Sequence, residues 1–456
     1  MVEPAPKWSV NMRDQRSLFL KGSIGAAALI SLLIAGCGGK GGDDTGETNT
    51  PNIGELPAYT PEAGVAYAAH YGSDSLNWVR TDGSTLRSVG EMALDGLTHD
   101  LDVDAINDLL VVVHDLERKV VLYQLDRPAG PNAQIADPVR LSEVSFDTGV
   151  YLARLDGYHN RLYAMTMAPS TDGSLVTETD MWVYDISDPT NPTLVSQGRV
   201  PASASWDIDP VRQLMFLYYS DDLTVFDLGG DRFAELAGSP ISLKEWYPQE
   251  NTWGFSARNV TVDPWNARVY AGRPQGTLSE LMVVAYDDVV PGEGSSYRHL
   301  ADMTTAQPVA DGFDVDVDHE ERVYMLEAHT ALPDPQLGAV LLAGRAWNGT
   351  LSTDMMLPLD ADLQIGAGCD TAEDPFCWYQ YINEGSASSY LMSEGAACVD
   401  TTNRVVVGTT VDFESEESPG YFMAFSYEES LEMAPFLSES QGLITASAWP
   451  IDVVCH

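Results

Sequence analysis

The stretch Val260-Thr261-Val262-Asp263-Pro264-Trp265-Asn266-Ala267-Arg268-Val269-Tyr270 decides how the rest of the chain is read. Apolar side chains stand one and three places before an aspartate, a short polar turn follows, and an aliphatic residue opens a second run. Such alternation predicts a strand, a tight turn and a second strand. Relatives of the pattern put Asp104, Asp156, Asp209, Asp263, Asp318 and Asp400 in the same slot, at separations of 52, 53, 54, 55 and 82. A period of this size predicts an array of small sheets.

The flanking slots keep the same character. Val103, Leu155, Ile208, Val262, Val317 and Val399 precede the aspartates, and Leu101, Ala153, Trp206, Val260, Val315 and Ala397 stand three places before them. Leu109, Leu162, Leu214, Val269, Val323 and Val405 open the second strands, as in the runs Leu109 to Val113 and Arg322 to Leu326. Third strands are expected at Val120 to Leu125, Met181 to Ile186, Leu223 to Leu228, Leu281 to Tyr286, Val340 to Ala343 and Tyr421 to Tyr427. Weaker fourth runs include Thr193 to Val195 and Ile241 to Leu243. Four antiparallel strands per period make a propeller blade.

The ends of the array complement each other. Trp449-Pro450-Ile451-Asp452 resembles the first strand at Trp206-Asp207-Ile208-Asp209, and no second strand follows it. Val65-Ala66-Tyr67 and Leu76-Asn77-Trp78-Val79 resemble second and third strands with no first strand ahead. The expectation is an all-β, seven-bladed β-propeller of four-stranded antiparallel blades, its ring closed by the C-terminal strand completing the first blade and leaving no open sheet edge. Six and eight blades remain as alternatives.

Residues 1–36 read as an address. Arg13, Arg16 and Lys21 precede an apolar run from Ile24 to Ala35 that is short for a bilayer span, and small residues precede Cys37. Leu33-Ile34-Ala35-Gly36-Cys37 resembles the lipobox of bacterial lipoproteins, which implies cleavage before Cys37 and lipid on its sulfur. Residues 37–61 are rich in Gly, Asp, Thr, Asn and Pro, a composition that cannot bury enough surface to fold, and are expected to be a flexible tether. The propeller then occupies 62–456. The implied location is the bacterial cell envelope, with the membrane bound through the N-terminal lipid. Gly38 after the lipidated cysteine, in place of an aspartate, favours the outer membrane, on either its periplasmic or its surface face.

Charge agrees with an exported domain. The chain has a formal charge of −44. Removing residues 1–36, which hold Lys7, Arg13, Arg16 and Lys21 against Glu3 and Asp14, takes it to −46. Nucleic acid and anionic surfaces would be repelled. Only Lys40, Lys119 and Lys244 follow the signal, and an acid-rich, lysine-poor surface resembles that of proteins from salty environments.

Four cysteines besides Cys37 suit an oxidising compartment: Cys369, Cys377, Cys398 and Cys455. Three pairings exist, and Cys369 with Cys377 and Cys398 with Cys455 is the one favoured. The second bond would join first strands of blades that become neighbours on ring closure, and it requires alpha carbons within ~7 Å. About 28 residues beyond a normal period fall in an insertion at about 358–395, which carries the first cysteine pair with Trp378, Tyr379, Tyr381 and Tyr390. This excursion is expected to cap the ring or to form a binding loop.

Two resemblances concern the repeats themselves. Met181-Trp182-Val183-Tyr184-Asp185-Ile186-Ser187-Asp188-Pro189-Thr190-Asn191-Pro192-Thr193-Leu194-Val195 resembles an LVIVD repeat, a strand-turn-strand unit of prokaryotic surface propellers. Val262-Asp263-Pro264 through Tyr270 is similar to the repeats of surface-layer and lactonase-like propellers. Both imply architecture, and neither carries a defined activity.

No G-x-S-x-G, H-E-x-x-H, phosphate-binding glycine loop or D-x-D-x-D-G loop occurs. Two constellations remain. Asp100, Asp102, Asp207, Asp314 and Asp316 stand two or four places before the repeat aspartates, so they are expected to face the central channel, as calcium or magnesium ligands or as a solvated acidic wall. His99, Tyr151, Trp253, Arg258 and Phe313 lie at the starts of first strands and could ring the channel mouth, whereas Trp206 and Trp449 belong to the apolar column. The function expected is binding of a protein or small-molecule ligand. A metal-assisted lactonase or esterase is the alternative, and a quinone dehydrogenase a third class for which no motif is present.

Overall fold

The computed structural model describes residues 63–71, 74–81, 87–130, 133–166, 178–201, 205–219, 222–230, 233–236, 238–242, 259–275, 278–286, 298–304, 325–334, 337, 339–347, 352–359, 379–381, 397–411, 420–427, 433–435, 443–444 and 449–456. Among them there is no helix. β1 (Val65–Tyr71), β2 (Ser75–Arg80) and β3 (Arg87–Ala93) pair in succession. β4 (Asp100–Asp104), β5 (Leu109–His114), β6 (Lys119–Gln124) and β7 (Val139–Ser145) form the next sheet. β8 (Val150–Asp156), β9 (Arg161–Thr166), β10 (Glu178–Asp185) and β11 (Thr193–Pro201) form the one after. β12 (Ser205–Asp209), β13 (Leu214–Tyr219) and β14 (Asp222–Asp227) are followed by β15 (Ala234–Glu235) and β16 (Ile241–Ser242), which both pair with β14.

The pattern continues with β17 (Asn259–Asp263), β18 (Arg268–Gln275), β19 (Leu278–Ala285) and β20 (Arg298–Thr304). β21 (Met325–Asp334), β22 (Ala339–Trp347), β23 (Ser352–Leu359) and β24 (Tyr379–Tyr381) form another sheet. β25 (Ala397–Asp400), β26 (Val405–Val411) and β27 (Gly420–Tyr427) carry β28 (Met433–Pro435) and β29 (Leu443–Ile444), both on β27. Last, β30 (Trp449–Cys455) pairs antiparallel with β1, so the first sheet runs β3-β2-β1-β30.

Continuous apolar runs become second strands because both of their faces are covered. In β5, Leu110 and Val112 pack with Tyr67 and Trp78 of the preceding sheet, while Leu109, Val111 and Val113 pack with Ala153, Leu155 and Leu162 of the following one. Further cores join β8–β11 to β12–β14, and β13, β14 and β16 to β17–β19. Cys398, Val405, Val407, Phe422 and Ala424 meet Ala66, Ala68, Val79, Val453 and Cys455, which puts the β25–β27 strands against the first sheet.

The hairpin turns are built by the repeat aspartate. Oδ1 of Asp104 accepts from the amides of Ile106 (2.9 Å) and Asn107 (3.1 Å), and Oδ2 accepts from the Asn107 side chain at 2.7 Å. Asp263 repeats this with Trp265 and Asn266, and Asp209 with Val211 and Arg212. In five such turns the fourth residue after the aspartate is left-handed: Asp108 (φ 56°), Asn160 (51°), Gln213 (57°), Ala267 (49°) and Arg404 (53°). That conformation costs a non-glycine residue ~1–2 kcal/mol. The paired amide bonds to a buried carboxylate offset the strain.

The structure corrects two expectations of register. Asp452 does not fill the repeat-aspartate slot, because Asp452 pairs with Ala69 and it is His456 that exchanges backbone hydrogen bonds with Val65. The pairing that sets Asp104 opposite Leu109 therefore sets His456 opposite Val65, four places later than the sequence match implies. The strand expected second at Arg322 to Leu326 is also displaced: β21 heads its sheet and ends on fully buried Asp334, whose Oδ1 accepts from Leu337 N at 3.2 Å. Asp334 thus makes the turn assigned by spacing to Asp318, which lies outside the described residues. Within the expected insertion, Tyr379 and Tyr381 belong to β24, paired with Met356 and Asp354.

Candidate functional site

The strands that head the sheets lie side by side, β4 beside β8, β12 beside β17, β25 beside β30 and β30 beside β4. A heading strand is paired on one edge only, and its other edge needs acceptors for its amides. Side chains of the preceding strand supply them. Asp100 Oδ2 accepts from Ala153 N at 2.9 Å, and Asp102 Oδ2 from Leu155 N at 2.6 Å. One sheet on, Ser205 Oγ accepts from Val260 N and Asp207 Oδ2 from Val262 N, both at 2.8 Å.

Between these pairs β8 carries a cation in the slot that holds Asp102 and Asp207 in its neighbours. Arg154 Nη1 donates to Asp100 Oδ2 at 2.9 Å, its Nε lies 3.8 Å from Asp207 Oδ1, and the guanidinium carbon stands 5.7 Å from the Trp206 ring centroid. Arg154 thus links acids from the strands on either side of its own. Trp206 is fully buried, in keeping with its place in the apolar column. Sequence reasoning passed over Arg154. Its signal was a single charge of opposite sign in the slot two places before a repeat aspartate, where Asp102, Asp207 and Asp316 stand in other repeats.

Burial raises the Asp102 carboxyl to about 7, with Arg154 and the Leu155 amide pulling it down and Asp100 and Asp207 pushing it up. Burial also raises Asp207. A carboxyl that exchanges its proton near neutrality among acids and one arginine can donate or accept a hydrogen bond as pH changes. Asp314 and Asp316 lie outside the described residues. Among the described residues no group of three or more His, Cys, Asp or Glu side chains is placed to hold a metal ion.

At the start of these strands the His99 and Tyr151 rings meet with centroids 4.4 Å apart and planes tilted by 48°. The His99 amide donates to Val113 O at 2.8 Å, while its buried Nδ1 has no hydrogen-bond partner in the protein. The structure brings these two of the five expected mouth residues together; Trp253, Arg258 and Phe313 lie outside the described residues. So do Cys37, Cys369 and Cys377. Cys398 and Cys455 form a disulfide with alpha carbons 5.5 Å apart, tying β25 to β30.

At the other strand end the repeat aspartates reach across sheets. Asn107 Nδ2, held by Asp104, also donates to Gly157 O at 3.1 Å. Tyr286 Oη donates to Asp209 Oδ2 at 2.9 Å, and Arg212 Nη1 donates to Pro264 O at 2.7 Å. Burial raises the carboxyls of Asp104, Asp263 and Asp400 and lifts the Tyr286 hydroxyl well above the ordinary tyrosine range.

Four-stranded antiparallel sheets packed face to face, with their heading strands adjacent, define the β-propeller class. Solved structures support that fold. One is a functionally unknown protein from Desulfotomaculum acetoxidans, with a TM-score of 0.52 at 10% identity, covering 86% of this chain and 99% of its own. A Bacteroides uniformis protein described as a "putative 6-phosphogluconolactonase" has a TM-score of 0.50 at 9% identity, covering 85% of this chain and 98% of its own. These likenesses concern the fold. No family model matches the sequence, and no curated protein matches it.

Proposed function

We propose that the chain is a lipid-anchored extracytoplasmic β-propeller, seven blades closed by β30, that acts as a binding or protein-interaction module at the cell envelope. The domain plan is a signal at 1–36, lipidation at Cys37, a tether over 37–61 and the propeller over 62–456. The observation that carries the choice of a binding module is the use made of the wall acids. Asp100, Asp102 and Asp207 are hydrogen-bonded to amides of the neighbouring strand, and Arg154 bonds one of them. A metal-assisted hydrolase would need such oxygens as ligands, and withdrawing them would leave buried amides unsatisfied.

The rival, a lactonase- or esterase-like propeller with calcium or magnesium in the channel, is favoured by one feature, the Asp102 carboxyl near pH 7. The test is metal analysis of protein purified without chelator, followed by ester and lactone hydrolysis by wild type and Asp102→Ala. The binding reading expects no metal-dependent turnover. Metal and turnover lost together in Asp102→Ala would replace it with the hydrolase. For the anchor, mass spectrometry of the mature N-terminus is expected to find a lipid-modified Cys37 that disappears in Cys37→Ser.

A further inference from the structure

Four large apolar side chains are exposed among the described residues: Leu116, Val139, Leu194 and Val195. Leu194 and Val195, 53% and 49% exposed, are consecutive on β11, and Val139, 59% exposed, is on β7 of the adjacent sheet. Ser142 Oγ donates to Pro189 O at 2.6 Å, which brings β7 against the turn that feeds β11. Apolar side chains on a sheet edge expose both a sticky surface and a row of backbone groups ready to pair.

Sequence sets β11 apart. It is nine residues long, Thr-Leu-Val-Ser-Gln-Gly-Arg-Val-Pro, with no acid in it, and it ends its sheet. Among the sheet-ending strands of seven residues or more, β3, β7 and β20 carry Glu91, Glu143 and Asp302, whereas the three-residue β24 and β28 carry no acid. Charged residues on an edge are a usual defence against pairing with another chain, and β11 has no acid for it in a chain of formal charge −44, though it shares with β3, β7 and β20 a one-residue bulge, here at Val195. Its one cation, Arg199, is already taken by Glu178 (3.3 Å) and Asp180 (3.6 Å) of β10. The edge is thus a neutral, partly apolar strip bordered by Glu178, Asp180 and Asp188.

We propose that β11 is a docking edge that takes up an extended segment of a partner protein as an added strand, the segment alternating apolar residues with lysine or arginine. Backbone pairing along the strip supplies affinity, Leu194 and Val195 receive apolar side chains, and the bordering acids, three carboxylates against the single Arg199, select cationic ones. A second copy of this chain is disfavoured because two bodies of this charge repel. The proposal rests on the interaction-module reading and names the kind of partner.

The probe is a blocked peptide of alternating lysine and valine, titrated at physiological salt into full-length protein, with hydrogen exchange read strand by strand. Binding is expected, with slowed exchange in β11 and about tenfold weaker affinity for a Leu194→Ser/Val195→Ser double variant, a change of about 1.4 kcal/mol. A glutamate-valine peptide is expected not to bind. Both substituted side chains are exposed, and matching melting curves would show that the variant is folded. Absence of binding, protection away from β11, equal affinity for the double variant, or wild-type dimerisation that the variant loses would each overturn the docking edge. Metal-dependent turnover in the hydrolysis assay would instead remove the parent reading, so the two failures are distinct.

Discussion

Nε2 of His456 lies 2.9 Å from Oδ1 of Asp108, joining the residue after β30 to the β4–β5 turn of the next sheet. Asp108 Oδ1 is also held by Arg127, through Nε at 2.9 Å and Nη2 at 2.6 Å. His456 is fully buried and occupies the slot that an aspartate fills in other sheets. The contact has counterparts elsewhere. Gln213, in the same left-handed turn position as Asp108, reaches Asp156 of the preceding sheet at 3.4 Å.

Burial lowers the His456 pKa even though Asp108 opposes the shift, so the fold favours neutral imidazole. Its contribution to stability is complete above the unfolded value of about 6.5 and is lost as pH falls from there toward the lower folded value. Thermal melts from pH 8 to 5 are expected to show a drop below about 6.5 that is smaller in His456→Gln. Parallel curves would refute the assignment.

Asp102 should behave in the opposite sense. Its folded value near 7 lies above the ordinary aspartate value of 3.8, so the folded state keeps a proton that the unfolded state releases, and stability falls as pH rises between those values. Asp102→Asn keeps an oxygen for Leu155 N and removes the buried charge. It is expected to stabilise by about 1–3 kcal/mol at pH 8 and to be nearly neutral at pH 4.

The Cys398–Cys455 bond closes a loop with a sequence separation of 57. Cys398→Ser/Cys455→Ser is expected to lose on the order of 2–4 kcal/mol in denaturant unfolding of oxidised protein. Thiol labelling of unfolded, unreduced wild type should leave both cysteines unmodified; labelling of either would disprove the bond.

A Cβ added at Gly157 would lie 2.1 Å from Asp104 Oδ1, a carboxylate held by two amides and the Asn107 side chain. Gly157→Ala is therefore expected to cost about 1–3 kcal/mol, because the obstruction cannot rotate away without breaking the turn. Urea midpoints check this, with Gly149→Ala informative as a second glycine facing a carboxylate, that of Asp115.

Much of the fold could be read from the chain because its signals are local. β6, β10, β14 and β19 fall where apolar runs such as Val120 to Leu125 and Met181 to Ile186 place third strands. What was misread lacked a local signal. Asp334 precedes Pro335-Gln336-Leu337 rather than the run ending in Asn that follows Asp104 or Asp263, and His456 offers no aspartate to align. Of the candidate site, the acid positions were legible as a pattern, but their work was not. Asp100 and Asp102 could be placed toward the channel by alternation, yet that they accept from Ala153 and Leu155 depends on which strand lies beside β4.

The amino-acid sequence by itself determined the strands, the aspartate turns and the repeat, because alternation and side-chain-to-backbone hydrogen bonds act over two to four residues. Only the tertiary structure decided that Arg154 bridges Asp100 and Asp207, that His456 stands in an aspartate's place, and that Cys398 meets Cys455. Those partners lie roughly fifty or more positions apart in the chain, and packing of one sheet on the next is what brings them together.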